Sequence, residues 1–216
     1  MTIAITTLPA ALRDTALTIA ALADQARPDG FDAFRTKCIG QMSRLREELA
    51  ARGQPADVID DAVYAQCALL DELALGRLQD KDRDAWEREP LQVREFRSHD
   101  AGEELVRRIE RRLAEHPPVL PLLVVFHAVL GLGFQGRFAR GGRDARNALM
   151  RSIDERLQRA GVRDSSGSVV VADVKVRRWN SYLSPLTWVV TAAVASGLMY
   201  LALDKWLTAS IGHVAG

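Results

Sequence analysis

The sequence predicts an all-α protein in two parts: a helical domain over residues 1–160 and one transmembrane helix near the C-terminus. Three observations carry that prediction. Apolar residues recur at three- and four-residue steps through most of the first 160 positions, the period of an amphipathic helix. No charged residue occurs between Arg178 and Asp204. Between these regions the chain changes to Arg163-Asp-Ser-Ser-Gly-Ser168, a linker composition.

The helices follow in order. Leu8 to Ala26 is rich in Ala and Leu, and Pro28-Asp-Gly30 ends it. Phe31 to Ala51 places Phe34, Cys38, Met42, Leu45 and Leu49 on one stripe, and Gly53 and Pro55 break it. Pro55 to Leu78 aligns Ile59, Val63, Gln66, Leu70 and Leu73. Asp80 to Ser98 is polar and irregular, with Trp86, Pro90 and Phe96. Asp100 is placed to cap a helix running to Glu115, which Pro117-Pro118 stops. Val119 to Phe134 is apolar almost all round, the pattern of a buried central helix, and it falls short of a membrane span. Asp144 to Ala160 is amphipathic, with Ala148, Leu149, Ile153 and Leu157 on one face. Val169-Val-Val171 is the one strand-like run, and a single strand makes no sheet.

Residues 161–178 read as a tether, 179–207 as the membrane anchor region and 208–216 as a short external tail. The uncharged core from Leu186 to Leu203, at about 1.5 Å per residue, spans roughly 27 Å, close to the hydrocarbon thickness of a bilayer. Trp179, Tyr182 and Trp188 at one end, and Tyr200 and Trp206 at the other, match aromatic belts. Lys175, Arg177 and Arg178 precede the span, whereas Lys205 beside Asp204 follows it, so the positive-inside rule places the N-terminal domain in the cytoplasm. Nothing at the N-terminus reads as a signal peptide. Ala193 and Gly197, four residues apart, form a small-residue face through which two spans could pack into a homodimer.

Composition narrows the function. The 216 residues are 48% hydrophobic and 26% charged, and 29 basic against 28 acidic side chains leave a net charge of +1. That balance gives no electrostatic case for nucleic-acid binding. The two cysteines, Cys38 and Cys67, do not make a disulfide scaffold. No Walker-type phosphate loop is present. Gly131-Leu-Gly133-Phe-Gln-Gly136 fits G-x-G-x-x-G, but a helix leads into it and no strands surround it, so its glycines are expected to end that helix. The four histidines are widely spaced, with no zinc-ligand pattern, and His127 reads as a satisfied core residue. No catalytic group, metal site or cofactor is expected.

Two charge patterns remain. Asp60-Asp61 and Asp71-Glu72 lie eleven residues apart, close to three helical turns, either as an acidic stripe for a basic partner or as a solvated face. Leu69-Leu70 and Leu73 bracket the second pair, so one of its acids should lie near the core edge. Arg137, Arg140, Arg143 and Arg146 fall at steps of three around Gly141-Gly142, as a helical ridge, a basic loop patch or a solvated rim.

Taken together, Cys67-Ala-Leu-Leu-Asp-Glu-Leu-Ala-Leu75, Trp86, Pro90-Leu91, Gly102-Glu103 and Leu132-Gly-Phe-Gln-Gly-Arg-Phe138 resemble the DotU/TssL family, inner-membrane proteins of bacterial type VI secretion systems, with a DotU branch in type IVB systems. The acidic pair matches Asp71-Glu72, and the family's Gly-Phe-x-Gly-Arg-aromatic sequence matches Gly133 to Phe138. Where relatives often have aromatic residues after Gly-Glu, Glu104-Leu105 stand here. The resemblance implies a hook-like domain of two small helical bundles without enzymatic activity. It implies a TssM (IcmF-like) partner and contact with baseplate proteins of the TssK and TssE kind. It also implies partner-binding roles for Asp71, Glu72 and Arg137, with Gly133 and Gly136 forming a structural turn. The alternatives are a DotU-type component of a type IVB secretion system and an unrelated tail-anchored adaptor.

Overall fold

The structure is a computed structural model that describes residues 8–23, 30–98 and 100–162. All of these belong to one compact unit, and among them every regular element is helical. The linker and span expectations beyond Val162, including Ala193 and Gly197, lie outside the described residues.

Eight α-helices follow one another: α1 (Ala10–Ala23), α2 (Phe31–Ala51), α3 (Ala56–Arg77), α4 (Asp80–Arg88), α5 (Leu91–Phe96), α6 (Ala101–Ala114), α7 (Leu120–Gly131) and α8 (Arg143–Arg159). A 3-10 turn, Gly136–Arg140, joins the last two. Helix boundaries fall within a residue or two of expectation for α2, α3, α6 and α8. The stretch read as irregular, 80–98, instead holds α4 and α5. Trp86, fully buried, is the anchor of α4. Asp100 does occupy the N-cap position of α6, but its side chain makes no capping hydrogen bond.

Helix α3 is the central element. It packs against α1, α2, α4 and α5 on one side and against α6 and α7 on the other. The chain thus builds two small bundles that share α3. In the first, Leu12 and Ile19 of α1 and Phe34, Cys38, Met42 and Leu45 of α2 close on Val63, Cys67 and Leu70 of α3. A buried polar thread joins the same three helices: Gln66 donates to Thr15 at 2.8 Å, and Gln41 donates to Thr18 at 2.8 Å. The Arg35 guanidinium lies 5.4 Å from the ring centres of both Phe31 and Trp86 and donates to the Glu89 carbonyl at 2.8 Å, tying α2 to the end of α4.

In the second bundle, Leu105, Val106 and Ile109 of α6 meet Leu122, Phe126 and Val129 of α7 and Leu149 and Ile153 of α8. By length and composition alone Leu120–Arg140 could cross a bilayer, but α7 stops at Gly131 and buries Leu122, Leu123, Val125, Phe126, Val129 and Leu130 in this core. Ala148 is exposed, not on the buried face of α8. Helix α8 also closes the ends of its neighbours. Arg146 donates to the carbonyls of Leu130 in the last turn of α7 and of Phe134 beyond it, and Arg156 donates to those of Leu113 and Glu115 at the end of α6. Guanidinium groups at helix C-termini satisfy carbonyls that the helix cannot and meet the negative end of its dipole.

Candidate functional site

The four acids of the two sequence pairs on α3 occupy different environments, so they form no acidic stripe. Asp60 is exposed. Asp61 is buried between two arginines of α6, with Arg108 at 2.8 Å and Arg112 at 2.6 Å. Asp71 is buried, at 5% exposure, and faces the first bundle. Its Oδ1 accepts the Trp86 indole N–H at 2.8 Å and the Leu91 amide at 2.8 Å, while Oδ2 accepts the Gln92 amide at 3.0 Å. One carboxylate therefore fastens α4 and the first turn of α5 to α3. Burial pushes the Asp71 carboxyl above the usual range, against the pull of the three N–H donors. Asp71 is not placed to receive a basic group from a partner, because its lone pairs point inward and are taken.

Adjacent helical residues point about 100° apart, and Glu72 accordingly faces the second bundle. Its carboxylate accepts the Gln135 amide at 3.0 Å and the Gly136 amide at 2.9 Å. Burial also raises this carboxyl, opposed by those amides and by the charge on Arg146. The two neighbouring acids are thus two clamps, one for each bundle. Glu72 is partly exposed, yet both its oxygens are committed to the chain entering the 3-10 turn.

That turn is shaped by the expected glycines. Gly133 has φ 110°, and the bond from its amide to the Leu130 carbonyl (3.0 Å) closes α7 in a left-handed C-terminal position that favours glycine. Gly136, with φ 49°, lies directly against Gly102 of α6. A Cβ on Gly102 would sit 2.8 Å from Gly136 Cα, and a Cβ on Gly136 would sit 2.9 Å from the Gly102 carbonyl and 2.7 Å from the Phe134 ring. Neither position admits a side chain without moving backbone. Two sequence segments read separately, Gly102-Glu103 and Gly133 to Phe138, are in contact.

Where they meet, an open groove of about 400 Å³ is lined by Asp100, Gly102 and Glu103 from the start of α6 and by Gly136, Arg137, Ala139 and Arg140 from the 3-10 turn. Arg137 bridges to α6, donating to Glu103 at 3.0 Å and to Glu110 at 2.7 Å, and its guanidinium lies 5.2 Å from the Phe138 ring centre. Desolvation works against its charge, but the two carboxylates outweigh that and hold it firmly protonated. Of the four arginines in the sequence pattern, Arg137 and Arg146 are engaged within the fold, on different elements, so they form no common ridge. Arg140 and Arg143 are exposed. The sequence did not single out Asp100 or Arg140 as groove residues or Glu110 as a partner of Arg137. The available signals were the proximity of Asp100 to Gly102-Glu103 and the place of Arg140 in the arginine pattern beside Arg137.

No group of His, Cys, Asp and Glu suited to hold a metal occurs among the described residues. Burial pushes the Cys38 thiol up to about 12 and raises Cys67 as well, so neither is poised as a nucleophile. His127 is not a core residue; it is half exposed, with Nε2 2.9 Å from Asp154 Oδ1.

Comparison with known proteins places this geometry. No curated protein matches the chain. Among solved structures, SciP/TssL of the type VI system from enteroaggregative Escherichia coli 042 is 29% identical, with a TM-score of 0.59 over 68% of this chain and 84% of that one. The cytoplasmic domain of TssL from Acinetobacter baumannii is also 29% identical, with a TM-score of 0.63 over 70% of this chain and 97% of that one. The family model described as type VI secretion system protein DotU matches residues 7–206, nearly the full length, and the chain therefore belongs to the DotU family of type VI secretion system proteins.

Proposed function

We propose that this protein is a non-enzymatic structural part of the inner-membrane complex of a type VI secretion system, and that the groove between α6 and the 3-10 turn is its docking surface. Residues 179–207 hold it in the membrane as a single span with the helical domain in the cytoplasm, and the Ala193/Gly197 face pairs two copies. The partners are a TssM (IcmF-like) inner-membrane protein and baseplate proteins of the TssK and TssE kind. Asp71 and Glu72 act from behind this surface: they fix the elements that carry it, while Arg137 stands on its rim.

The observation that carries this reading is the contact of Gly102 with Gly136, held by Glu72. A groove whose floor is backbone against backbone has a fixed shape, which favours docking of a preformed surface over chemistry. Affinity purification of the full chain from mildly solubilised membranes of its own bacterium tests it. TssM- and TssK-like proteins should co-purify with the wild type and be depleted with Ala139→Trp, which fills the groove. Their absence from the wild-type sample would overturn the reading.

A further inference from the structure

Resting on that groove as the docking surface, we infer that the segment it receives is an acidic stretch of a partner protein, read by Arg140 and Arg143. The sequence expectation had the opposite polarity, with acids of this chain receiving basic groups. In the fold those acids are consumed internally. Asp71 and Glu72 accept backbone and indole N–H groups, and Asp61 is enclosed by arginines. The groove's own charges are mostly paired as well. Arg137 is shared by Glu103 and Glu110, and Arg107 by Asp100 at 3.5 Å and Glu104 at 3.2 Å. Arg140 lines the groove and Arg143 opens α8 three residues later, and both are exposed with no ion-pair partner among the described residues. They are the cations at this site that no carboxylate among the described residues engages.

Position distinguishes the ligand class. Arg140 stands on the 3-10 side of a concavity that α6 lines with Asp100 and Glu103, and Arg143 follows at the start of α8. A flat anionic surface such as a lipid leaflet would meet those carboxylates as well as the cations. A peptide segment entering the groove can set its acids against Arg140 and Arg143 alone. Gly141, with φ 105°, and Gly142 separate the two arginines, so they project from a turn and not from one rigid ridge. Charge complementarity of this kind steers encounter and fixes register more than it adds affinity.

A photo-crosslinking side chain at Ala139, exposed in the groove, tests this in the full chain in secreting cells, with the captured peptide sequenced. The expected result is a protein segment of net negative charge. Capture should fall about tenfold in Arg140→Glu/Arg143→Glu and persist in Arg140→Lys/Arg143→Lys, as expected where charge sets the encounter. A neutral or basic segment, unchanged capture in the charge-reversed variant, capture of lipid, or no crosslink above background would each overturn the inference. An acidic segment from a protein outside the secretion machine would support it while refuting the proposed function, so the two failures are separable.

Discussion

Replacing Asp71 with Asn removes a charge at nearly constant volume, and the geometry predicts a loss of stability. The asparagine carbonyl can keep the two bonds now made by Oδ1, to the Trp86 indole and the Leu91 amide. Its NH2 group then faces the Gln92 N–H, donor against donor, at the site where 3.0 Å now separates amide and carboxylate. Leaving one buried N–H without an acceptor costs about 1–3 kcal/mol. Turning the two remaining bonds from charged to neutral acceptors costs about 1 kcal/mol more. Relief of the burial penalty that raises the Asp71 carboxyl returns part of this, for a net loss of about 2 kcal/mol. For a unit of this size such a loss lowers Tm by roughly 4–8 °C. The assay is thermal unfolding of the detergent-solubilised full chain by circular dichroism, beside partner capture on the same sample. A melting temperature within about 1–2 °C of wild type, with capture abolished, would refute the clamp and make Asp71 a partner contact.

Glu72→Gln should lower stability by about 1–2 kcal/mol through the Gln135 and Gly136 amides, as read by thermal melts. It should also flatten a pH dependence. The folded-state Glu72 carboxyl lies above its ordinary value of about 4.3, so the folded wild type holds more protons there; its contribution is full below that value, declines as pH rises through the folded pKa, and then levels off. A Gln variant whose pH profile between about 4 and 7 matches wild type would contradict this. Gly102→Ala should destabilise by about 1–3 kcal/mol because the added Cβ meets Gly136 backbone at 2.8 Å. Gly40→Ala, in α2 with open space around it, should stabilise by about 0.5–1 kcal/mol; equal melts for the two variants would deny the close crossing. Gly197→Leu should weaken self-association in a membrane two-hybrid assay, and unchanged signal would remove the Ala193/Gly197 face.

Sequence periodicity located most of the helices because each buries one apolar stripe. It failed on which helix is central. Helix α7 is apolar nearly throughout and was expected at the centre, yet Val124, His127 and Ala128 remain partly exposed. Helix α3 is buried around most of its circumference despite carrying Asp61, Gln66 and Asp71. Those polar residues are tolerable inside because partners from α1, α4, α5 and α6 arrive to bond the Asp61 and Asp71 carboxylates and the Gln66 NH2 group, leaving only the Gln66 Oε1 without one. The partners stand 15 to 51 positions away, beyond the reach of a local pattern. For the same reason spacing could show that Asp71-Glu72 lies near the core edge but not that the two acids serve opposite bundles. Helices α4 and α5 were missed because they are short and polar, anchored by Trp86 and by the Asp71 carboxylate beneath. The turn glycines were legible in the motif; the crossing of Gly136 with Gly102 was not, since glycine does not announce what approaches it.

The central claim is that the groove beside Gly102 and Gly136 docks the secretion partners while the acid pair braces it from behind. The most direct measurement is the affinity of the detergent-solubilised full chain for the TssM-like cytoplasmic domain and the TssK-like protein of its own system, with Ala139→Trp compared to wild type. Ala139 is an exposed groove residue, so the account predicts at least about a tenfold rise in Kd for one or both partners with Tm within about 2 °C. Undiminished affinity for both partners, with the variant folded, would contradict it.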